Sequence, residues 1–356
     1  MTERSLLLVH AHPDDESIWT GATMAKYVAS GARVTLVTCT LGEAGEIIPP
    51  DLAHLLPDEL GEHRIGELAE ACVALGVTDY RFLGGAGRYR DSGMMGTEEN
   101  EDSRCFWQAS VASAAAELAK IIDEVRPSAI VTYDENGFYG HPDHIQAHRV
   151  AWEARMLAAP DARFFATAMP VSMARAAAEL PPDSWFARVP DVTAYTVPDA
   201  TVTTTVDGSA YVDAKIAAMT AHATQVTVDG AYFALSDNVG HRVLAVEHYI
   251  QLAGPDAPSA GDLFLSCFAR SFARWRSLRL AVSPRGAHTI PRAPGCAAQG
   301  PSSLGAPRGF ARSLEATLAG ARFASRPPRD RYSARPWAQS GAIGEATGFL
   351  PWPSTW

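Results

Sequence analysis

Side chains that could bind a metal ion occur in two short clusters of the sequence. Residues 10–16 read HAHPDDE, and residues 140–144 read GHPDH. Neutral imidazole and carboxylate oxygen are ligands that a borderline divalent ion such as zinc accepts, and three protein ligands with one open position make a catalytic site. The adjacent carboxylates Asp14 and Asp15 must point in different directions. One of them can therefore bind the metal ion while the other faces a bound water molecule.

Each cluster taken alone has an ordinary structural explanation. A His-Pro-Asp triplet at the end of a strand usually forms a turn, because proline fixes φ and aspartate bonds to nearby backbone. The two clusters nevertheless share a setting, since the first follows the apolar run at residues 6–9 and the second follows the run at 129–131. Because convergent titratable groups mark functional sites, the pair of clusters favours one metal site over two unrelated turns.

Apolar runs alternate with amphipathic stretches over the first 160 residues. We predict strands at residues 6–9, 34–38, 81–83 and 129–132. Helices are predicted between them at residues 59–75 and 109–125. This alternation predicts an α/β fold with a Rossmann-like, mostly parallel sheet and helices on both faces. Ligands of such sheets bind beyond the carboxyl ends of the strands at the switch point, where both clusters fall.

Further elements are predicted from the same patterns. A helix is expected to begin at Ser17 or Thr20 and to reach Ser30, and another to begin near Pro142. The predicted later elements are strands at 164–168 and 201–206 and helices at 211–223 and 233–250. The loops at 41–46 and 84–95 are predicted to be functional, because glycine lets the backbone approach a ligand closely and long loops in compact domains usually have a function.

Size and composition limit the class of protein. A chain of 356 residues, 47% of them apolar, can bury a large core. No apolar run approaches the ~20 residues that span a bilayer, and the N-terminus lacks the pattern of a secretory signal. We therefore expect a cytoplasmic protein without a membrane partner. The five cysteines have no paired spacing and are expected to be reduced thiols, with a catalytic Cys39 as the weaker alternative.

The charge is unevenly distributed along the chain. Residues 1–265 carry a net charge of −20, and residues 266–356 carry +10 with 13 arginines and no lysine. The acidic part excludes a general nucleic-acid binder. We predict a domain over residues 1–255 and a disordered, low-complexity Arg/Pro/Ala-rich tail over residues 256–356, because such a composition buries too little to offset ordering entropy. The alternative for the tail is a basic segment that binds nucleic acid or a membrane surface.

The two clusters resemble those of the LmbE-like (PIG-L type) zinc deacetylases. Residues 41–46 (LGEAGE), 64–68 (RIGEL), 83–97 and 221–225 (AHATQ) are similar to the group within that family that deacetylates a GlcNAc-inositol in mycothiol biosynthesis. The resemblance extends from about residue 6 to residue 250 and implies the Rossmann-like fold and a small-molecule GlcNAc-inositol substrate. It also implies Zn²⁺, one ion per subunit, although Fe²⁺ or Co²⁺ would suit the same ligands.

The resemblance also assigns roles to individual residues. The implied metal ligands are His12, Asp15 and His144. The implied catalytic residues are Asp14 as general base, His141 as general acid and Tyr139 near the developing oxyanion. The implied substrate contacts are Arg64, Asp91, Glu46 and Met94.

Two other functions remain open from the sequence. Residues 133–137 (YDENG) look more like the sister amidase that cuts the cysteinyl amide of mycothiol S-conjugates. A Rossmann module that binds a nucleotide or sugar without catalysis is the alternative from a different class. No GxGxxG follows Val9, however, and acidic residues there would repel a pyrophosphate unless a metal intervened. His222 is interpreted as a surface or core histidine rather than a ligand, and the oligomeric state is not indicated.

Overall fold

The computed structural model describes residues 4–188, 191–192, 195–255 and 261–264. The strands are β1 Ser5–His10, β2 Arg33–Thr38, β3 Asp79–Phe82, β4 Ala129–Thr132, β5 Arg163–Ala168, β6 Thr204–Asp207, β7 Thr227–Asp229, β8 Tyr232–Ala234, β9 His241–Arg242 and β10 Val246–Ala253. The helices are α1 Asp15–Ala29, α2 Pro57–Leu75, α3 Val111–Val125, the single turn α4 Gly137–Gly140, α5 Pro142–Ala158, α6 Val171–Ala177 and α7 Val212–Ala221.

Within these residues, seven strands form one mixed sheet in the order β3-β2-β1-β4-β5-β10-β6. The first five strands in this order are parallel, and β10 pairs antiparallel with both β5 and β6. The chain moves outward in one direction from β1 to β3 and in the other from β4 to β5. The switch point therefore lies between β1 and β4, where an open α/β sheet leaves a crevice for a ligand. Strands β7, β8 and β9 form a separate small antiparallel sheet.

Apolar side chains cover both faces of the large sheet. Successive residues of β1 point to opposite sides, so that Leu6 and Leu8 join one core cluster and Leu7 and Val9 join the other. Helices α1, α2 and α7 supply the first cluster, and α3 and α5 supply the second. This arrangement confirms the predicted fold class, a mostly parallel Rossmann-like sheet with helices on both faces.

The first five predicted strands are present, with ends that differ from the prediction by no more than two residues. The helix predicted over residues 233–250 is wrong, because this stretch forms β8, β9 and most of β10. Asn238 adopts a φ of 57°, which turns the chain there and is incompatible with a continuous helix. In β10, Glu247 and Tyr249 are buried while their neighbours are only partly buried, so the periodicity is that of a strand.

The predicted start of α1 is also corrected. The helix begins at Asp15, with Asp14 as the preceding cap residue, whereas Ser17 and Thr20 lie inside the helix. Helix α5 begins as expected, with Pro142 in its first turn.

The described part of the predicted tail packs against the domain. Leu263 and Phe264 join the same core cluster as α1, and the Tyr27 hydroxyl donates a hydrogen bond to Asp262 at 2.8 Å. Arg4 makes an ion pair with Asp262 at 3.0 Å. The prediction for residues 256–260 and 265–356 lies outside the described residues. Among the described helices, none is both long and apolar enough to cross a membrane.

Candidate metal centre and active site

The two His/Asp clusters meet at the switch point of the sheet. Strand β1 ends at His10, and the first cluster continues into α1. Strand β4 ends at Thr132, and the second cluster forms the start of α5. Because β1 and β4 are neighbours and parallel, both clusters emerge at the same edge of the sheet. The fold thus brings together the residues that the sequence analysis assigned to one site.

His12, Asp15 and His144 form a triangle of buried ligand atoms in which the two sides that meet at Asp15 are short. Asp15 Oδ2 lies 3.3 Å from His12 Nδ1 and 3.4 Å from His144 Nε2. Tetrahedral metal sites with bonds of about 2.0–2.1 Å have ligand atoms about 3.3–3.4 Å apart, which matches these two distances. A nitrogen of His141 also lies within 4.8 Å of nitrogens of His12 and His144. The described residues therefore fit a divalent metal ion at this place.

The second nitrogen of His12 is held by another carboxylate. Its Nε2 lies 3.2 Å from Asp143 Oδ2, and Asp143 in turn accepts a hydrogen bond from the Ser92 N–H at 2.9 Å. The main-chain N–H of His12 donates a hydrogen bond to Asp15 Oδ2 at 2.9 Å. Metal-binding histidines usually donate their other ring N–H to a carboxylate, which fixes the ring and its tautomer. Asp143 is positioned to do this for His12.

His144 is oriented by stacking rather than by hydrogen bonds. Its ring lies parallel to that of Tyr133, with centroids 4.0 Å apart, and neither of its ring nitrogens has a hydrogen-bond partner among the described residues. The Tyr133 hydroxyl accepts the Ala11 N–H at 2.9 Å and contacts His10 Nδ1 at 3.1 Å. Buried polar atoms are rarely left without a partner, and a metal ion would give His144 one.

The electrostatics of the cluster also suit a cation. Burial alone would lower the pKa of His12, but the carboxylates of Asp91, Asp143 and Asp15 outweigh it and raise this pKa. Burial alone would raise the pKa of Asp15, but the imidazoles of His144 and His12 lower it well below its usual value. The raised pKa favours a proton on His12 in the metal-free site. A metal ion must displace that proton, because an imidazole binds metal in its neutral form.

Asp14 lies beside this triangle in a strained conformation. Its φ of 109° and ψ of −35° are rare for a residue with a side chain and cost on the order of 1–3 kcal/mol. Its carboxylate accepts a hydrogen bond from Arg64 Nη2 at 2.9 Å. Burial raises the pKa of Asp14 to about 7, although Arg64 opposes the shift. A carboxyl group with a pKa near neutrality suits a general base.

Arg64 forms part of the cavity wall, yet it is only 2% exposed. Its guanidinium donates to the carbonyl oxygens of Gly42 and Pro13 as well as to Asp14. Gly42 has a φ of 71°, and a Cβ there would lie 2.0 Å from Arg64 Nη1. The glycine loop predicted to approach a ligand therefore also makes room for this arginine.

His141 and Tyr139 face the cavity from the side of α5. His141 is the cap residue of α5, and its Nδ1 accepts the Asp143 N–H at 3.1 Å. Burial, helped by the neighbouring His12, lowers the pKa of His141 well below its usual value, so its protonated form gives up a proton more readily than an ordinary imidazolium does. Tyr139 lies next to Phe138, which has a φ of 68°, and the Tyr139 ring centroid is 5.0 Å from that of His144. No described residue makes a hydrogen bond with the Tyr139 hydroxyl.

The remaining predicted contacts also border the cavity, whose volume is about 440 Å³. Asp91 is buried, accepts N–H groups of Ala44 and Gly93, and lies 3.7 Å from His12 Nε2. Burial opposes ionisation of Asp91, but the imidazoles of His12 and His141 lower its pKa to about 2. Glu46 and Met94 lie on the loops at the rim of the cavity.

The thiol of Cys39 does not suit a nucleophile. It is buried, and burial raises its pKa well above the usual value. A thiolate is the reactive form of cysteine, so this pKa disfavours a catalytic role.

Several residues that support the site have no recognisable signal in the sequence. Glu16 of the first cluster and Asp143 of the second cluster were given no role from the sequence. His222 is fully buried and bonded to Glu16, which agrees with its interpretation as a core histidine. The pairing of His222 with Glu16 had no signal in the sequence, because the two residues are 206 positions apart.

The fold and the site together define an α/β protein with a His/Asp cluster able to bind a metal ion at the carboxyl edge of its sheet. Residues 7–155 match the PIG-L family (GlcNAc-PI de-N-acetylase). The sequence is 58% identical over 280 residues to the 1D-myo-inositol 2-acetamido-2-deoxy-alpha-D-glucopyranoside deacetylase of Thermomonospora curvata, a match that covers 73% of this chain and 94% of that relative. Relatives of the same name from Acidothermus cellulolyticus (58% identity, covering 73% of this chain and 92% of the relative) and Thermobifida fusca (56%, 74% and 97%) are similar over comparable lengths. The chain belongs to the PIG-L, or LmbE-like, family.

Proposed function

We propose that this protein is a metal-dependent amide hydrolase that removes the N-acetyl group of 1-(2-acetamido-2-deoxy-glucopyranosyl)-myo-inositol, releasing acetate and GlcN-inositol in mycothiol biosynthesis. The observation that carries the proposal is the triangle of His12, Asp15 and His144 beside the Asp14 carboxylate in a cavity of about 440 Å³. The relatives that are 56–58% identical carry the name of this activity.

The proposed cofactor is one zinc ion per subunit, with His12, Asp15 and His144 as its ligands. Two imidazoles and a carboxylate are typical zinc ligands, and Fe²⁺ or Co²⁺ would be accepted by the same set. A divalent ion bound there would supply a Lewis acid that lowers the pKa of water and polarises the amide carbonyl.

The remaining steps belong to side chains of this chain. Asp14 accepts a proton from the water that attacks the carbonyl carbon. His141, on the other side of the cluster, donates a proton from its protonated form to the amide nitrogen, so that the C–N bond breaks and a neutral amine leaves with acetic acid, which ionises to acetate. Such acid–base steps each contribute on the order of 10²–10⁴-fold to the rate. Tyr139 donates a hydrogen bond to the carbonyl oxygen as negative charge develops there, which is worth roughly 2.7–4 kcal/mol for a comparable donor.

The sugar-inositol part of the substrate is proposed to bind along the cavity wall. Asp91 and Glu46 offer carboxylate acceptors to hydroxyl groups, and Met94 offers an apolar contact. Arg64 uses only some of its five N–H donors in its bonds to protein, and it can offer another to a hydroxyl. Its ion pair with Asp14 gives it a second role in the chemistry.

A comparison of three substrates tests this proposal. We expect GlcNAc-inositol to be hydrolysed with a higher kcat/KM than either free N-acetylglucosamine or the cysteinyl amide of a mycothiol S-conjugate. A preference for the conjugate would assign the sister amidase activity instead. Binding of sugar or nucleotide with no hydrolysis of any amide would favour the non-catalytic module.

A further inference from the structure

A buried ion pair lies next to Asp14 and takes no part in the chemistry proposed above. His222 directly follows α7 and is fully buried, with Nε2 2.7 Å from Oε1 of Glu16. Glu16 lies in the first turn of α1 and is fully buried as well. The pair therefore joins the end of α7 to the first turn of α1, into which the first His/Asp cluster continues.

Glu16 in turn binds the main chain of Asp14. Its Oε2 accepts the Asp14 N–H at 3.0 Å, while its Oε1 also accepts a hydrogen bond from the Ser17 hydroxyl. Asp14 is the residue with a φ of 109°, and such a conformation persists only where the surrounding contacts fix it. The Asp14 carboxylate is fixed separately, by Arg64. Asp14 is thus held at two points, its main chain by Glu16 and its side chain by Arg64.

We propose that His222 and Glu16 are positioning residues for Asp14: His222 fixes the Glu16 carboxylate, and Glu16 holds the Asp14 main chain so that its carboxylate faces the cavity. The hydrogen bond of His222 ends on Glu16, so His222 acts through another residue and touches no reacting atom. The kinetic consequence of this pair rests on the proposed deacetylation, whereas the contact itself exists in the free protein.

A second buried residue of the segment that follows α7, residues 222–225, provides a matched control. Thr224 is fully buried, and its N–H and hydroxyl donate to Glu67 of α2 at 2.8 and 2.7 Å. These bonds attach the segment to α2 and do not involve Asp14 or Glu16. A variant at Thr224 therefore reports the cost of loosening the segment without disturbing the contact in question.

The test compares His222→Leu, His222→Gln and Thr224→Val in the metal-loaded, full-length protein. We expect His222→Leu to lower kcat by about tenfold to a hundredfold, because small misplacements of a catalytic group have effects of this order. KM and metal content should stay at the wild-type level. His222→Gln should recover much of kcat, since its side-chain amide can donate to Glu16 from the position of Nε2. Thr224→Val should lower the melting temperature while kcat is unchanged.

Hydrogen–deuterium exchange provides a readout that does not depend on turnover. The peptide that contains Asp14 should exchange faster in His222→Leu than in the wild type, and at the wild-type rate in Thr224→Val. A folded His222→Leu protein with unchanged kcat and unchanged exchange would overturn the proposal. So would equal losses of kcat in His222→Leu and Thr224→Val, because they would show a general effect of the segment.

Two further results keep the test decisive. If His222→Leu does not fold, Ser17→Ala removes the other hydrogen bond to the same Glu16 oxygen in a milder way. It should lower kcat several-fold and speed exchange at Asp14, and wild-type values for both would overturn the proposal. If the wild type releases no acetate from GlcNAc-inositol, the proposed function fails, and the exchange comparison alone decides whether His222 positions Asp14.

Discussion

Replacing Arg64 by glutamine should move the acidic limb of the pH–activity profile to higher pH. Asp14 must be ionised to accept a proton from water, and its pKa is already raised to about 7 by burial, with Arg64 opposing the shift. Arg64→Gln removes this opposing charge, so the folded-state pKa of Asp14 rises further. The ionised fraction therefore falls at any pH below the new pKa, and it recovers at higher pH.

The size of this pKa shift follows from the contact between Arg64 and Asp14. Arg64 Nη2 lies 2.9 Å from Asp14 Oδ2, and Arg64 is only 2% exposed, so solvent screens the pair weakly. A neighbouring opposite charge of this kind shifts a carboxyl pKa by roughly 1–3 units. A shift of about one unit corresponds to about 1.4 kcal/mol and to a tenfold lower kcat/KM on the acidic limb. On the alkaline side, kcat/KM should approach that of the wild type.

The assay is kcat/KM for acetate release between pH 5 and 10, measured on GlcNAc-inositol and on a small acetamide without inositol. Arg64→Lys is the control, because it keeps a positive charge near Asp14 but loses the planar fork of donors. Its acidic limb should lie closer to that of the wild type. A loss of kcat/KM that is equal for both substrates measures the effect that Arg64 has through Asp14. An additional loss of kcat/KM on GlcNAc-inositol measures the contact of Arg64 with the substrate. If the acidic limb of the Arg64→Gln profile lay at the same pH as that of the wild type, the electrostatic argument would be refuted.

Four more outcomes are expected. Alanine at any of the three proposed metal ligands should abolish metal binding and activity together, and a variant that keeps stoichiometric metal by elemental analysis would remove that residue from the ligand set. Asp14→Asn should keep the metal ion but lose kcat, because the amide cannot accept a proton at neutral pH, whereas an effect on KM alone would indicate substrate positioning. Ending the chain after residue 265 should leave the melting temperature and kcat/KM little changed. Ending it after residue 255 also removes Leu263 and Phe264, whose burial together is worth about 3–6 kcal/mol. This shorter chain should melt at a temperature lower by on the order of 10 °C. Equal melting temperatures for the two truncated chains would contradict the packing of these two residues.

The sequence contained enough information for the sheet and for the location of the site. The strand at β1 is a continuous apolar run because it is buried on both faces, and the same is true of β4, so both could be recognised locally. Polar residues after these strands then had to meet at one edge, since parallel neighbours end on the same side. The family resemblance, and not the spacing, supplied the separate roles of Asp14 and Asp15.

Other features could not be predicted because they depend on distant contacts. Residues 233–250 have apolar positions compatible with a helix, and only pairing with β5 and β6 makes β10 a strand. The cap of α1 was misplaced because Asp14 takes an unusual φ that is supported by Glu16 rather than by its own side chain. The partner of His222 is equally invisible in the sequence, since a lone histidine in an alanine-rich segment has no local feature that points to it.

Acetate release and metal content, measured on one preparation of the full-length protein, show whether this chain is a metal-dependent deacetylase. We expect about one divalent ion per chain, release of acetate from GlcNAc-inositol, loss of that activity with a chelator and its return when zinc is added back. Activity that persists after the metal ion has been removed would contradict this expectation. So would a metal-loaded protein that binds GlcNAc-inositol and releases no acetate.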